Sequence, residues 1–325
     1  MVRNMLTFRS SGRRALAVFG IAFLGLSAAA CSSSSSSSSS TAPASSSATA
    51  STSAAASSSA SASTAATGSG PVNVLYAGSL VNLMEKQVGP GFQAATGYSV
   101  SGVSAGSKEL ASEIKGKVHV GDVFISASPT VNTSLMGTAN GDWVSWYATF
   151  ASAGLVLGYN ANSKFAAALK SKPWYDVLTE SGIKVGFTDP ATDPKGVLAN
   201  EALTTTAKSK SLPALATLAA NSSDVFPEET LVGRLQSGQL DVGFFYTSEA
   251  KAAGIPTVPL TGVALKASYT ITILKGAPHE AGAESFVTYL LGPSGQAFLK
   301  ADGFKLTTPP KVTGTAPAAL QSALS

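Results

Sequence analysis

Cysteine is nearly missing from this chain: Cys31 is the only one in 325 residues. A lone thiol excludes an internal disulfide, so the folded part must be held by its core. Histidine is almost as scarce, and His119 and His279 belong to no cluster with metal-ligand spacing. Beyond residue 14 arginine occurs once, at Arg234, which argues against a phosphate-like ligand held by bidentate guanidinium forks. No acidic residue precedes Glu85. Of the 22 basic residues, Arg3, Arg9, Arg13 and Arg14 lie in the leader; without them 18 basic residues face 18 acidic ones, so the net charge of +4 belongs to that leader. A near-neutral protein offers no basic patch for nucleic acid or for an anionic membrane surface. A serine nucleophile needs an activating base, and no Gly-x-Ser-x-Gly elbow with triad partners is evident. Acidic residues are few and scattered, which speaks against a glycosidase pair. The expectation is a non-enzymatic protein without a cofactor.

What is present begins with an address. The four arginines precede an apolar stretch from Ala15 to Leu26, too short to span a bilayer comfortably and suited to a secretory signal. Small residues from Ser27 to Ala30 lead to Cys31, which resembles a bacterial lipoprotein signal over residues 1–30. The likeness implies that Cys31 is lipidated and becomes the new N-terminus, although Ala28 stands where a large aliphatic residue is usual. Ordinary cleavage leaving a free thiol is the alternative. Residues 31–70 are almost entirely Ser, Ala and Thr, without charge or aromatic side chains, a composition that predicts a disordered tether, bare or glycosylated.

From Pro71 onward about 255 residues remain, enough for two lobes with their own cores. Strand-like runs cover 72–76, 98–103, 120–125, 154–159, 184–187, 242–246, 257–260 and 269–274. Helix-like runs cover 80–88, 108–114, 129–136, 165–169, 195–206, 229–237, 281–291 and 294–300. Their alternation predicts mainly parallel sheets flanked by helices, with ligands beyond the carboxyl ends of the strands. Ala-Gly-Ser occurs twice at such ends, as Ala77-Gly78-Ser79 and Ala105-Gly106-Ser107. Each serine either caps its own helix or helps form an anion site from the free N–H groups of the first turn. Tyr246 ends a hydrophobic strand, as core or as a rim hydroxyl. Asp193 precedes Pro194 and can cap the following helix. Trp143, Trp146, Tyr147 and Phe150 read as packing or as a partner-facing patch.

Val74 to Leu80, Ser104 to Ser107 and Gly121 to Ala127 together resemble the first lobe of molybdate/tungstate-binding proteins of ABC importers. The likeness continues through Gly186 to Pro190 with Asp193 to Gly196, through Leu235 to Ala250, and through Leu290 to Leu299. It implies an α/β, two-lobed periplasmic binding protein-like (type II) fold, each lobe a mainly parallel sheet flanked by helices. Lobe one would comprise 71–155 and 259–325, and lobe two 156–258. Carried over position by position, Ser79 and Ser107 match donors from lobe one, Lys195 a backbone N–H at a helix start, and Tyr246 a hydroxyl closing over the ligand. Val225 or Phe226, before Pro227 and Glu228, falls near a further backbone donor. Some tungstate-selective members add carboxylates just before the tyrosine and before the Pro-Gly segment. Phe245 occupies the first place here, so at most Asp193 would supply one, which favours neutral donors. The implied protein is a monomeric, membrane-anchored extracytoplasmic receptor that hands molybdate or tungstate to a membrane permease. Sulfate, a small organic anion or a ferric complex are the alternatives.

Overall fold

The computed structural model describes residues 68–325; the leader, Cys31 and the Ser/Ala/Thr-rich segment lie outside the described residues. Strand β1 (Pro71–Ala77) pairs in parallel with β2 (Ser99–Ala105) on one side and β3 (Val123–Ser126) on the other. The sheet continues through β8 (Lys266–Ile273), antiparallel to β3, to the 14-residue β4 (Trp146–Tyr159). Strand β4 is shared. Trp146 to Gly154 pair with β8 and β9 (Lys305–Gly314), whereas Leu155 to Tyr159 pair with β6 (Val242–Tyr246). That second stretch also holds the short β7 (Thr257–Pro259), and β5 (Val185–Gly186) extends β6 in parallel. The order is β2-β1-β3-β8-β4-β6-β5. In the first half β1 pairs in parallel with both of its neighbours; in the second the parallel pair β5–β6 is short and the pairs made by β4 are antiparallel.

The helices follow their apolar spacing. In α2 (Ser107–Gly116), Leu110, Ala111 and Ile114 are buried; in α8 (Glu280–Leu291), Ala283, Phe286, Val287, Leu290 and Leu291 form the stripe that packs on the core. Pro293 then starts α9 (Pro293–Ala301), since its missing N–H costs nothing in a first turn. The remaining helices used below are α1 (Gly89–Thr96), α3 (Pro129–Thr133), α4 (Pro194–Lys210), α5 (Pro213–Ala219), α6 (Glu228–Gln236) and α7 (Thr247–Ala252).

Two segments depart from the sequence expectation for identifiable reasons. The run 80–88 is not a uniform α-helix: a 3-10 turn (Gly78–Leu80) and one α-turn lead into a π-helix at Met84–Val88. Pro90 cannot donate to the carbonyl four residues back, and the wide turn just before it absorbs that break. Strand β4 begins eight residues before the expected Gly154, because Trp146 to Ala153 are mostly buried on both faces and show no alternation. Strand β9 was hidden by Pro309 and Pro310, which are tolerated because β9 pairs only with β4 and leaves its other edge open. The aromatic group is packing: Trp146, Tyr147 and Phe150 are buried, and Trp143 is partly buried beneath Lys117.

Candidate functional site

The two Ala-Gly-Ser turns are neighbours. Ala77 and Ala105 are register partners on adjacent parallel strands, so both turns leave the same edge of the sheet side by side. Neither serine caps its helix. The capping positions are Ala77, two residues before Ser79, and Gly106, one before Ser107, and no side chain caps either end. Ser79 Oγ instead lies 3.0 Å from the hydroxyl of Tyr269 on β8, and Ser107 Oγ accepts the Ala127 N–H at 3.1 Å. Both serines are buried.

The first turn of α2 is also partly engaged. The N–H groups of Lys108 and Glu109 donate to the Thr192 carbonyl at 2.9 and 3.0 Å, and Lys108 Nζ donates to the Pro190 carbonyl at 2.8 Å. Gly106 makes that approach possible, since a Cβ there would stand 2.6 Å from the Thr192 oxygen. One Gly-x-Ser-x-Gly spacing, Gly102 to Gly106, falls here. Its Ser104 lies within extended β2, paired in register with Tyr76, and not at the strained strand-to-helix turn of a nucleophile elbow.

Opposite these turns stands the start of α4. Asp193 caps it: Oδ1 accepts the Lys195 N–H at 2.8 Å, with Pro194 in the first turn. This corrects the expected role of Lys195, whose backbone N–H serves the cap and is not free for a ligand. Its side chain is the larger surprise. Lys195 is fully buried, with Nζ 2.9 Å from both carboxylate oxygens of Glu249 and 3.2 Å from Glu228 Oε1, the latter an ion pair outside hydrogen-bond geometry. Glu249, in the first turn of α7, also accepts the Tyr246 N–H at 3.3 Å. Glu228 opens α6 after Pro227 and reaches the first Ala-Gly-Ser turn, where a Cβ on Gly78 would lie 2.7 Å from its Oε2.

The expectation that Asp193 is the sole available carboxylate is therefore overturned by Glu228. Val225 is corrected too: its N–H donates to the Ser222 carbonyl, and the next N–H, of Phe226, donates to the Phe187 carbonyl. A turn bond and a bridge to Phe187 consume the donors that this loop might offer.

Burial dominates the electrostatics. It raises Glu228 well above the ordinary glutamate range, with Asp193 adding to the rise and Lys195 opposing it. Burial likewise raises Asp193 and Glu249, each partly restrained by Lys195. For Lys195 burial favours the neutral form, but Glu249, Glu228 and Asp193 together outweigh it and the ammonium is held charged. The phenols of Tyr246 and Tyr269 are both pushed up by burial, so they remain O–H donors. Their rings meet edge to face at 6.0 Å.

What marks this place is unsatisfied polarity. Thr188 Oγ1, Asp193 Oδ2, both oxygens of Glu228, Tyr246 OH and Ser248 Oγ are buried without a hydrogen-bond partner. Native structures leave few such atoms, and a concentration of them calls for partners from outside the chain, whether ligand, ion or water. A cavity of about 250 Å³ lined by Gly106, Glu109, Thr188, Asp193, Phe226 and Glu228 opens beside them. Among the described residues no group of three or more His, Cys, Asp and Glu has the arrangement of a metal centre.

The model of a protein family described as bacterial extracellular solute-binding protein matches residues 72–305. The chain belongs to that family. It is 27% identical to an uncharacterized solute-binding protein of Petrotoga mobilis, over 75% of this chain and 86% of that protein. It is 25% identical to the molybdate/tungstate-binding protein of Thermococcus kodakarensis, over 54% of this chain and 64% of the other. Among solved structures, the periplasmic molybdate-binding protein of Azotobacter vinelandii superposes with a TM-score of 0.58 at 22% identity, covering 73% of this chain and 99% of that one. That likeness gives this solute-binding family member the two-lobed periplasmic binding protein fold.

Proposed function

We propose that this solute-binding protein is the lipid-anchored receptor of an ABC importer and captures molybdate or tungstate between its lobes. Residues 71–155 and 259–325 form lobe one and 156–258 lobe two, with Cys31 as the lipid attachment and 31–70 as the tether to the membrane. The ligand meets Ser79, Ser107 and Gly78 from lobe one and Asp193, Glu228 and Tyr246 from lobe two. A monomer suffices, since one chain supplies both walls.

The single observation that carries this reading is the cluster of unpartnered oxygens, in which two carboxylates and the Tyr246 phenol stand together. The raised phenols donate to oxyanion oxygens. The carboxylates select among oxyanions: sulfate sulfur is saturated, so Asp193 and Glu228 would only repel that dianion. Molybdenum and tungsten are electron-poor centres that can add oxygen ligands, and carboxylates are hard donors that suit them. The name of the Thermococcus relative agrees with this choice.

A second reading rests on the pairing of Tyr246 and Tyr269 beside carboxylates, a donor set that also suits ferric iron. It is disfavoured because both hydroxyls are held protonated by burial, and Tyr269 is engaged with Ser79. Calorimetry with molybdate, tungstate, sulfate and ferric citrate tests the choice. The expected result is binding of the first two, and a thermal stabilisation of about 2.7 kcal/mol at 100 times the dissociation constant. Binding of ferric citrate alone, with a tyrosinate charge-transfer band, would replace the proposal by its rival.

A further inference from the structure

The buried charges beside the cavity do not balance. Asp193, Glu228 and Glu249 are three buried carboxylates, and Lys195 is the one buried cation among them. Burial raises all three carboxylates, and an incoming dianion adds to the repulsion among whichever of them are ionised. The carboxylates are also unequal. Glu249 is fully engaged, with both oxygens accepting from Lys195 and one from the Tyr246 N–H, whereas Asp193 Oδ2 and Glu228 Oε2 lack a partner and Glu228 Oε1 has only the ion pair with Lys195. The lysine stem runs from the first turn of α4, and Glu249 fixes its tip 3.2 Å from Glu228. A lysine so placed is neither a surface charge nor a helix-end ornament.

The geometry points to Lys195, braced by Glu249, as the residue that lets a carboxylate-lined pocket accept an anion: its ammonium offsets Glu228 and sets the oxyanion affinity of the site. This rests on the oxyanion reading above. Glu249 acts as a positioning residue, holding the ammonium and tying it to the backbone of Tyr246. The aromatic faces of Phe245 and Tyr246, 5.6 and 5.8 Å from Nζ, complete the cage and keep water from screening the charge. The contribution is therefore expected to exceed that of an exposed lysine at the same distance.

Two variants read the sign of the effect. In the Lys195→Met/Glu249→Gln double variant Glu249 loses its charge together with its partner, and the pocket keeps Asp193 and a Glu228 without its counter-charge. Tungstate affinity by calorimetry is expected to fall at least about tenfold while circular dichroism shows the fold retained. In Glu249→Gln alone, the amide oxygen still accepts from Lys195 and the pocket becomes one charge less negative. Tungstate affinity is expected to rise or hold, and discrimination against sulfate to narrow. If the pair were only structural, the double variant would bind like the parent protein, or Glu249→Gln would lose as much affinity as the double; either result overturns the inference. Should the double variant fail to fold, the direction of change in Glu249→Gln decides alone: a loss of affinity overturns it. If the parent protein binds neither molybdate nor tungstate, the functional reading falls and this inference with it, an outcome visible before any variant is made.

Discussion

Gly78 and Glu228 touch across the two halves of the molecule: a single methyl group on Gly78 would sit 2.7 Å from Glu228 Oε2 and 3.0 Å from its Cδ. The clash reaches the Cγ of a buried side chain that is ion-paired with Lys195, so relieving it shifts Glu228 within a packed site. Gly78→Ala is therefore expected to cost about 1–3 kcal/mol in stability and to weaken oxyanion binding by about tenfold or more as Glu228 is displaced. Denaturant unfolding and calorimetry on the same preparation check the two halves of that statement.

Removing the Ser79 hydroxyl takes away one donor from the candidate site and also the partner of Tyr269 OH. A hydrogen bond to a charged acceptor contributes about 1.5–3 kcal/mol. Ser79→Ala should thus weaken binding of molybdate by one to two orders of magnitude, roughly. Ser107→Ala is expected to cost stability as well, because the Ala127 N–H loses its acceptor.

Closure should depend on the grip of α2 on the loop before α4. Gly106→Val would drive side-chain atoms into the Thr192 carbonyl, a backbone atom that cannot step aside. The lobes are expected to rest farther apart, seen as a larger radius of gyration in X-ray scattering. Lys108→Met removes only the bond to the Pro190 carbonyl and should shift scattering less, with a smaller loss of affinity.

Stability should vary with pH in a direction set by Glu228. Its folded value is raised above the ordinary 4.5, so the folded protein holds that proton more tightly than the unfolded chain. Folding then takes up a proton between these two values, and stability falls as pH rises from 4.5 through the raised one. Asp193 and Glu249 are raised as well and titrate with it as a group. Unfolding by urea across this window is expected to show greater stability at the acid end, and Glu228→Gln should flatten the trend.

Lys195→Met without a compensating change strands Glu249 beneath α7. Breaking a buried pair on one side costs about 3–5 kcal/mol. The single variant should therefore unfold at markedly lower denaturant than the double variant with Glu249→Gln.

Local signals were the legible ones. Ala77-Gly78-Ser79, Ala105-Gly106-Ser107, Asp193-Pro194 and the strand ending at Tyr246 each announce a turn or a helix start within a few residues, and the structure gathers them at one edge. The family likeness was legible for the same reason. Glu228, Glu249 and the buried tip of Lys195 were not. Each is polar, sits in a first helical turn, and reads as a solvated or dipole-favoured charge; only the packing of α4, α6 and α7 against one another turns them inward. The signal available was Pro227-Glu228 itself, a proline-led helix start 18 positions before Tyr246, passed over in favour of Phe245. Strand β4 was half visible, since small and aromatic residues buried on both faces carry no period.

The uninterrupted run of β4 through both sheets has a mechanical consequence. Its ladder changes partners between Gly154, paired with Lys266, and Leu155, paired with Tyr246, without a break in the backbone. Sliding one half past the other would shear two ladders at once, whereas twisting about that strand strains only the few bonds at the changeover. Opening this solute-binding protein would therefore take torque about an axle, not tension along it.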